Sequence, residues 1–328
     1  MRRNKNIKLI INYGLGPVLL LLIVYDLWKQ LSQQEFLVNN TSSWIAAILQ
    51  NGVGLFLLAL LLMFFQWVIE AIKWKILIKP LVDVSLLPSI KMIFSGLSFS
   101  MVTPNRVGEF IGRVMHLPAE KRGTASILTF YGSFLQFVVY CLLGTVSLFM
   151  LTAYYPAVKG HLLLYNIIVL LKYISPFISF GGLIILLNFS FFSRFIFLLP
   201  FLKKFQHAAN GLDAIRLSHC IYLLLLTVLR CLVFIFQYWL IFKWLGVELV
   251  WTEVYIGVTI MVYWLAILPT ISFLEVGLRW EFSILLFSVF INNPLGVTIG
   301  TTIIWLMNIV FPAIIGSVWI TLRPRNIQ

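Results

Sequence analysis

Long apolar runs, separated by short polar or basic segments, make up most of this chain. A run of about 20 apolar residues is long enough to cross the roughly 30 Å of hydrocarbon in a bilayer as one α-helix. The pattern therefore predicts full transmembrane helices over residues 10–28, 51–72, 124–154, 165–188, 218–245 and 295–322. The first run follows a basic N-terminus, as in a signal peptide, but no small-residue cleavage site follows it. We interpret it as a retained transmembrane helix.

Two further apolar segments, 88–117 and 251–290, are interrupted in the middle. The first breaks at Thr103 and Pro104, which can supply an N-cap and a first helical residue for a new helix. The second breaks at Pro269, and Ser272 lies three residues before Glu275, the spacing of a capping box. Because each half is too short to cross a bilayer, both segments are predicted to be re-entrant helical hairpins.

The order of these elements repeats along the chain. Residues 1–155 read span, span, hairpin, span, and residues 160–328 read the same but begin on the opposite side of the membrane. We therefore predict a single all-α membrane domain over 1–328, with six full transmembrane helices and two hairpins in an inverted-topology repeat. Broken helices at matching places in inverted halves are typical of the substrate site of secondary transporters.

Composition and charge support this class and its orientation. Hydrophobic residues make up 61% of the chain and charged residues 11%, against about 25% in soluble proteins. The net charge of +13 is not gathered into a nucleic-acid-binding patch, so no nucleic-acid partner is predicted. With the N-terminus inside, 18 of the 24 Lys and Arg residues fall on the inner side. The positive-inside rule then places both termini in the cytoplasm.

Each hairpin carries a matched pair of charges after its break. Glu109 and Arg113 follow Pro104, and Glu275 and Arg279 follow Pro269, in each case four residues apart on one helical face. Charges at membrane depth usually face a cavity or a partner, and arginine binds phosphate through a bidentate fork. The pairs suit the anionic head group of a lipid. The alternative is that each pair only neutralises itself and stabilises its hairpin.

Other polar residues are weaker candidates. Arg106, at the start of the resumed first hairpin, is included among the head-group ligands. Arg230 lies within a span, where it either faces a functional cavity or forms an ion pair with Glu275 or Glu281. Glu70 and Lys73 are expected to form an interfacial pair, and Gln136 and Gln237 are expected to make interhelical hydrogen bonds. The three cysteines are interpreted as small core residues: Cys141, Cys220 and Cys231. No metal-ligand spacing, nucleotide-binding loop or catalytic motif is present, so no catalytic residue, metal or cofactor is predicted.

The hairpin residues resemble a known family. The segment from Thr103 to Glu109 is similar to its T-P-x-R-x-G-E motif, and Leu268-Pro269 with Gly277-Leu-Arg279 is similar to its L-P-x-x-x … G-x-R motif. The family is the lysylphosphatidylglycerol synthase transmembrane, or flippase-like, family. It includes the membrane half of the bacterial multiple peptide resistance factor, which moves aminoacylated phosphatidylglycerol between leaflets.

The resemblance has two departures. The family commonly has a glutamate directly after the arginine of the second motif, whereas this chain has Trp280 there and Glu281 one place later. The second functional acid is therefore either Glu275 or Glu281. The sequence also contains no soluble synthase domain, so we expect it not to make an aminoacylated lipid alone.

These observations favour one function and leave two alternatives. We expect a flippase that moves an anionic or aminoacylated phospholipid, or a lipid-linked carrier, between leaflets. Its partners would be membrane lipids with anionic head groups. The first alternative is a non-transporting membrane protein that presents lipid to a separate lipid-modifying enzyme. The second is an intramembrane transferase with Glu109 as base, which lacks an accompanying nucleophile or metal site.

Overall fold

The computed structural model describes residues 51–101, 103, 106–156, 162–196, 217–268 and 272–322, with the backbone alone for 162–163, 193–196 and 272–276. Described residues form helices and turns without a β-strand. The helices are α1 (Gly54–Ile78), α2 (Leu86–Met101), α3 (Gly108–Val114), α4 (Arg122–Tyr154), α5 (Leu162–Leu187), α6 (Phe189–Ile196), α7 (Leu217–Trp244), α8 (Trp251–Ile267), α9 (Ser272–Phe287), α10 (Pro294–Trp305) and α11 (Phe311–Thr321). A 3-10 turn, Ala119–Lys121, precedes α4, and a π-helical segment, Leu306–Val310, joins α10 to α11.

Five described helical segments are long and apolar enough to cross a membrane: Gly54–Ile78, Ala119–Tyr154, Leu164–Leu187, Leu217–Trp244 and Pro294–Thr321. They match five of the six predicted spans, and the remaining one, 10–28, lies outside the described residues. Large apolar side chains on α5, including Tyr173, Phe177 and Phe180, are exposed, as suits contact with lipid. The chain is therefore an all-helical, multi-pass membrane protein.

The predicted boundaries differ most in α1. This helix continues to Ile78, six residues beyond the predicted end at 72. Glu70 and Lys73 consequently lie within the helix and are buried, with relative exposures of 5% and 2%. The predicted Glu70–Lys73 pair forms, with 3.0 Å between the ammonium and a carboxylate oxygen, but it is buried and not interfacial, because the helix runs on and neighbouring helices cover both side chains.

The two interrupted segments each form an antiparallel pair of short helices. The 16 residues of α2 span about 24 Å at 1.5 Å per residue, less than the hydrocarbon thickness. Helix α3 returns along α2, with Gly108 near Phe99 and Gly112 near Ser95. Helix α9 returns along α8 in the same way, since the Ser283 hydroxyl lies 3.1 Å from the Met261 sulfur. We call these pairs hairpin 1 (α2 and α3) and hairpin 2 (α8 and α9).

Contacts between the two predicted halves define the centre of the bundle. Asn51 at the start of α1 donates to the carbonyls of Lys243 and Trp244 at the end of α7, each at 3.1 Å. Gln66, further along α1, donates to Gln237 at 2.8 Å, so α1 and α7 run antiparallel. Helix α2 packs against α11, and α8 packs against α4. The first helix of each hairpin thus contacts the last span of the other half.

Candidate functional site

The bend of hairpin 1 is held by a side chain and strained at one residue. Thr103 donates to the Phe99 carbonyl at 3.0 Å and accepts from the Gly108 backbone N–H at 2.7 Å. Thr103 thus holds the first residue of the second arm, but its predicted role as the N-cap directly before that arm was wrong, because α3 begins at Gly108 and its N-cap is Val107. Arg106 has φ +56°, a left-handed conformation that costs a non-glycine residue about 1–2 kcal/mol. Such strain persists where surrounding structure demands it and clusters at functional sites.

Glu70 of α1 is the centre of a buried ionic cluster. One carboxylate oxygen accepts from Lys73 at 3.0 Å and from Arg230 at 2.9 Å, and the other accepts from Arg113 at 3.0 Å. Arg113 also pairs with Glu109, four residues earlier on α3. The cluster joins α1, hairpin 1 and α7, and thus connects the two predicted halves through one carboxylate.

Arg230 extends from this cluster towards α4. Its guanidinium donates to the Gln136 amide oxygen at 2.9 Å, and the Gln136 amide donates to the Tyr140 hydroxyl at 2.6 Å. The guanidinium carbon lies 5.2 Å from the ring centre of Trp67, within cation–π range. Arg230 was predicted either to face a cavity or to pair with an acid of hairpin 2. It lines a cavity, and the acid with which it is seen to pair is Glu70 of α1.

The cavity lies between the two halves and is lined by three arginines from three different elements. Arg106 comes from the bend of hairpin 1, Arg230 from α7 and Arg279 from α9 of hairpin 2. Arg279 is only 8% exposed. The other lining residues are polar or apolar but uncharged: Gln66, Trp67, Gln136, Tyr140, Thr227, Cys231, Phe234, Ile304, Trp305, Asn308 and Ile309. Among the described lining residues the charge is therefore entirely positive.

A buried chain of amides closes one side of this cavity. Gln66 and Asn308 both donate to the side-chain oxygen Oε1 of Gln237, each at 2.8 Å, and Gln237 Nε2 donates to the Ala59 backbone carbonyl at 2.9 Å. Gln136 and Gln237 thus both make the interhelical hydrogen bonds predicted for them. Asn308 lies in the π-helical segment, and π-bulges inside helices often occur at functional sites. Its amide oxygen is buried and accepts no hydrogen bond from any residue that the structure describes.

The predicted head-group ligands occupy two different environments. Arg106, Arg230 and Arg279 line the cavity, whereas Arg113 is held by Glu70 and Glu109 beside it. Glu281 is exposed on α9. Pro104, Pro269 and the side chains of Ser272 and Glu275 lie outside the described residues. Helix α9 nonetheless begins at Ser272, the predicted position.

Glu70 is the main participant that the sequence did not reveal. It lies 43 residues from Arg113 and 160 residues from Arg230, so no local spacing relates it to either arginine. The sequence did place Glu70 between two tryptophans of the same helix, Trp67 and Trp74. The Trp67 ring lies 5.2 Å from Arg230 and the Trp74 ring lies 5.6 Å from Arg113. Within the described part of the chain, no three His, Cys, Asp or Glu residues are grouped to hold a metal ion.

Comparison with known proteins identifies the family. Neither a curated protein nor a solved structure matches the chain significantly. The family model described as lysylphosphatidylglycerol synthase TM region matches residues 15–316, which include both hairpins, the cavity and the ionic cluster. The match extends over most of the 328 residues. The chain therefore belongs to the lysylphosphatidylglycerol synthase TM region family.

Proposed function

We propose that this protein is a lipid flippase that moves an anionic or aminoacylated phospholipid, or a lipid-linked carrier, between the leaflets of a bacterial inner membrane. The observation that carries the proposal is the cavity between the two halves, which Arg106, Arg230 and Arg279 line. The proposed cycle contains no chemical step. The head group enters the cavity, the acyl chains stay in lipid, and rearrangement of the halves carries the head group across.

The cost of burying charge explains why these arginines suit a ligand. Ionised side chains in a membrane are expensive and are kept where they serve a pathway or a partner. Arg230 shares Glu70 with two other cations, so the cluster does not provide one carboxylate for each cation. A phosphate accepts charge-assisted hydrogen bonds from guanidinium groups, which are about twice as strong as neutral ones. An anionic head group would therefore be stabilised in this cavity.

Residue-level contacts support the proposed inverted repeat. In α4, Gly144 abuts Tyr263 of hairpin 2. In α11, Gly316 abuts the Phe94 backbone and the Ser98 hydroxyl of hairpin 1. Ser98 and Tyr263 are the sixth residues before Pro104 and Pro269, so the two contacts correspond.

A second pair of contacts follows the same correspondence one helical turn away. Ser147, three residues after Gly144, accepts a hydrogen bond at 2.6 Å from Thr259, four residues before Tyr263. Trp319, three residues after Gly316, stacks on Phe94, four residues before Ser98, with ring centres 5.6 Å apart. Corresponding contacts, together with antiparallel α1 and α7, are those expected of halves related by a two-fold axis in the membrane plane. We propose that re-entrant hairpins and cytoplasmic termini complete this arrangement.

The proposal predicts that Arg279→Gln slows lipid translocation by at least about tenfold. The substitution removes a charge-assisted interaction, which contributes about 1.5–3 kcal/mol, and about 1.4 kcal/mol corresponds to a tenfold change. The measurement is the initial rate at which a labelled lipid changes leaflet in proteoliposomes, followed by quenching from outside. Lys172→Gln is the matched control, because Lys172 of α5 packs over Phe149 away from the cavity. This variant should translocate lipid at the wild-type rate.

The same assay separates the flippase from its rival. Equal translocation by wild type and by Arg279→Gln would contradict the proposal. Lipid that binds to the wild type without changing leaflet would favour a lipid-presenting partner of a separate enzyme. A double variant, Arg113→Ala with Arg279→Ala, tests the paired hairpin arginines together, and we expect it to lose translocation.

Arg106→Gly is predicted to separate stability from transport. Glycine adopts positive φ at no steric cost, so the substitution relieves the strain of about 1–2 kcal/mol at the bend while removing one cavity arginine. We expect the purified variant to resist heating at least as well as wild type and to translocate lipid more slowly. The measurement is the monodisperse fraction after heating, beside the leaflet assay. A variant that is both less stable and fully active would contradict the assigned role.

A further inference from the structure

We propose that the cavity selects a lipid whose head group is a phosphate monoester over an aminoacylated phosphatidylglycerol. This inference rests on the proposed function and narrows its substrate class. The family name suggests a lysylated lipid as substrate. The charges around the cavity of this chain favour a different head group. Three observations support it: the charge balance around the cavity, the arrangement of the arginines, and the neutral polar groups between them.

The charge balance favours a dianion. Five cations lie in or beside the cavity, and two described carboxylates, Glu70 and Glu109, compensate them. The cations are Arg106, Arg230 and Arg279 on the cavity wall, and Lys73 and Arg113 in the adjoining cluster. Among the described residues this leaves an excess of three positive charges, and the excess is two if Glu275 is counted as an ionised partner of Arg279. A phosphate monoester carries about −1.5 to −2 charges at pH 7 and so neutralises most of this excess.

A lysylated head group has the opposite effect. Its phosphodiester contributes one negative charge and its two ammonium groups contribute two positive charges. Binding it would increase the local positive charge in a region where water is scarce and screening is weak. Glu70 is already shared by Lys73, Arg113 and Arg230, and Glu109 is paired with Arg113, so an ammonium would compete with these cations for the same two carboxylates.

The positions of the arginines favour three terminal oxygens. Arg106, Arg230 and Arg279 belong to hairpin 1, α7 and hairpin 2, and thus approach the cavity from separate elements. A phosphate monoester has three terminal oxygens that accept strong hydrogen bonds, whereas a phosphodiester has two. The monoester therefore offers one oxygen to each arginine.

The neutral polar groups on the wall offer a way to change this preference. Gln136 accepts from Arg230 and donates to Tyr140. A glutamate at this position keeps the length of the side chain and can still accept from Arg230, and the Tyr140 hydroxyl can rotate to donate to it. Gln136→Glu thus adds one carboxylate beside the cavity arginines with little change of shape.

The experiment compares three lipids with identical labelled acyl chains in proteoliposomes: phosphatidic acid, phosphatidylglycerol and lysylphosphatidylglycerol. Protein-free liposomes at the same pH supply the background rate. For the wild-type protein we expect translocation of phosphatidic acid to exceed that of the lysylated lipid by at least about tenfold. For Gln136→Glu we expect this ratio to fall by about tenfold, because one added charge opposes the phosphate and attracts the ammonium. Lys172→Gln should keep the wild-type ratio.

The outcomes distinguish failure of this inference from failure of the proposed function. Faster movement of the lysylated lipid than of phosphatidic acid by the wild type would overturn the selectivity and leave the flippase intact. Equal rates for all three lipids would overturn it as well. If no lipid moves above the protein-free background, the flippase itself is contradicted. A Gln136→Glu protein that fails to fold is replaced by Thr227→Glu, which adds a carboxylate to the same wall.

Discussion

Glu70→Ala should lower the stability of this protein by about 3–5 kcal/mol, the usual cost of removing one partner from a buried ion pair. The substitution leaves Lys73, Arg113 and Arg230 together without the carboxylate that they share. All three cations would then repel one another inside the bundle. Because Glu70 joins α1 to hairpin 1 and α7, the loss should also loosen the contact between the halves.

The measurement is the fraction of protein that stays monodisperse in detergent after a graded heat challenge. Glu281→Ala is the matched control, because Glu281 is exposed, and its removal should cost little. The double variant Glu70→Gln with Lys73→Met removes one charge of each sign and keeps an acceptor for the arginines. We expect it to recover much of the lost stability. Wild-type stability of Glu70→Ala would show that water, and not Glu70, compensates these cations.

The spans were predictable because their physics is local. A bilayer requires about 20 consecutive apolar residues, and that requirement is visible in any window of sequence. Helices α4, α5, α7 and the α10–α11 segment therefore begin and end within a few residues of their predicted positions. The breaks were predictable for a similar reason, since Thr103-Pro104-Asn105 and Pro269-Thr270 combine a proline with polar residues that favour the end of one helix and the start of another. A proline alone is a weaker signal, because α5 continues through Pro176.

The site was predictable only in part, because its contacts are not local. Arg113 and Arg279 each follow a glutamate by four residues and lie nine and ten residues after the proline of their hairpin, so the sequence predicted one role for both. In the structure Arg113 is bound by Glu70, while Arg279 lines the cavity. The difference arises from a residue on another helix, which no spacing within the hairpin encodes. Arg230 was predicted to pair with Glu275 or Glu281 for the same reason, because its contact with Glu70 joins residues 160 positions apart.

This difference has a functional consequence. If Arg113 is fixed by two carboxylates, its main role is to hold hairpin 1 against α1, and its removal should reduce stability together with transport. Arg279 lines the cavity, so its removal should slow transport.

Gly112→Ala is expected to be as damaging as the loss of Glu70, through packing instead of charge. A Cβ atom at this position would lie 2.3 Å from the carbonyl oxygen of Ser95 and 2.6 Å from the Cα of Gly96, both backbone atoms of the facing helix. Backbone cannot move aside as a flexible side chain can, so the arms of hairpin 1 must separate. Inserting one carbon into a packed core costs about 1–3 kcal/mol, and contacts this short place the cost at the upper end or beyond.

The matched control is Gly181→Ala in α5, where no described atom lies within 4 Å of the added Cβ. Alanine in a helix at an open position stabilises by about 0.4–1 kcal/mol through the unfolded state, so this variant should resist heat slightly better than wild type. Both variants are compared in the heat challenge and in the leaflet assay. Since α3 carries Arg113 and follows the bend with Arg106, separating the arms should also displace the cavity wall and slow translocation. A Gly112→Ala protein with wild-type stability and rate would show that the two arms do not pack backbone to backbone.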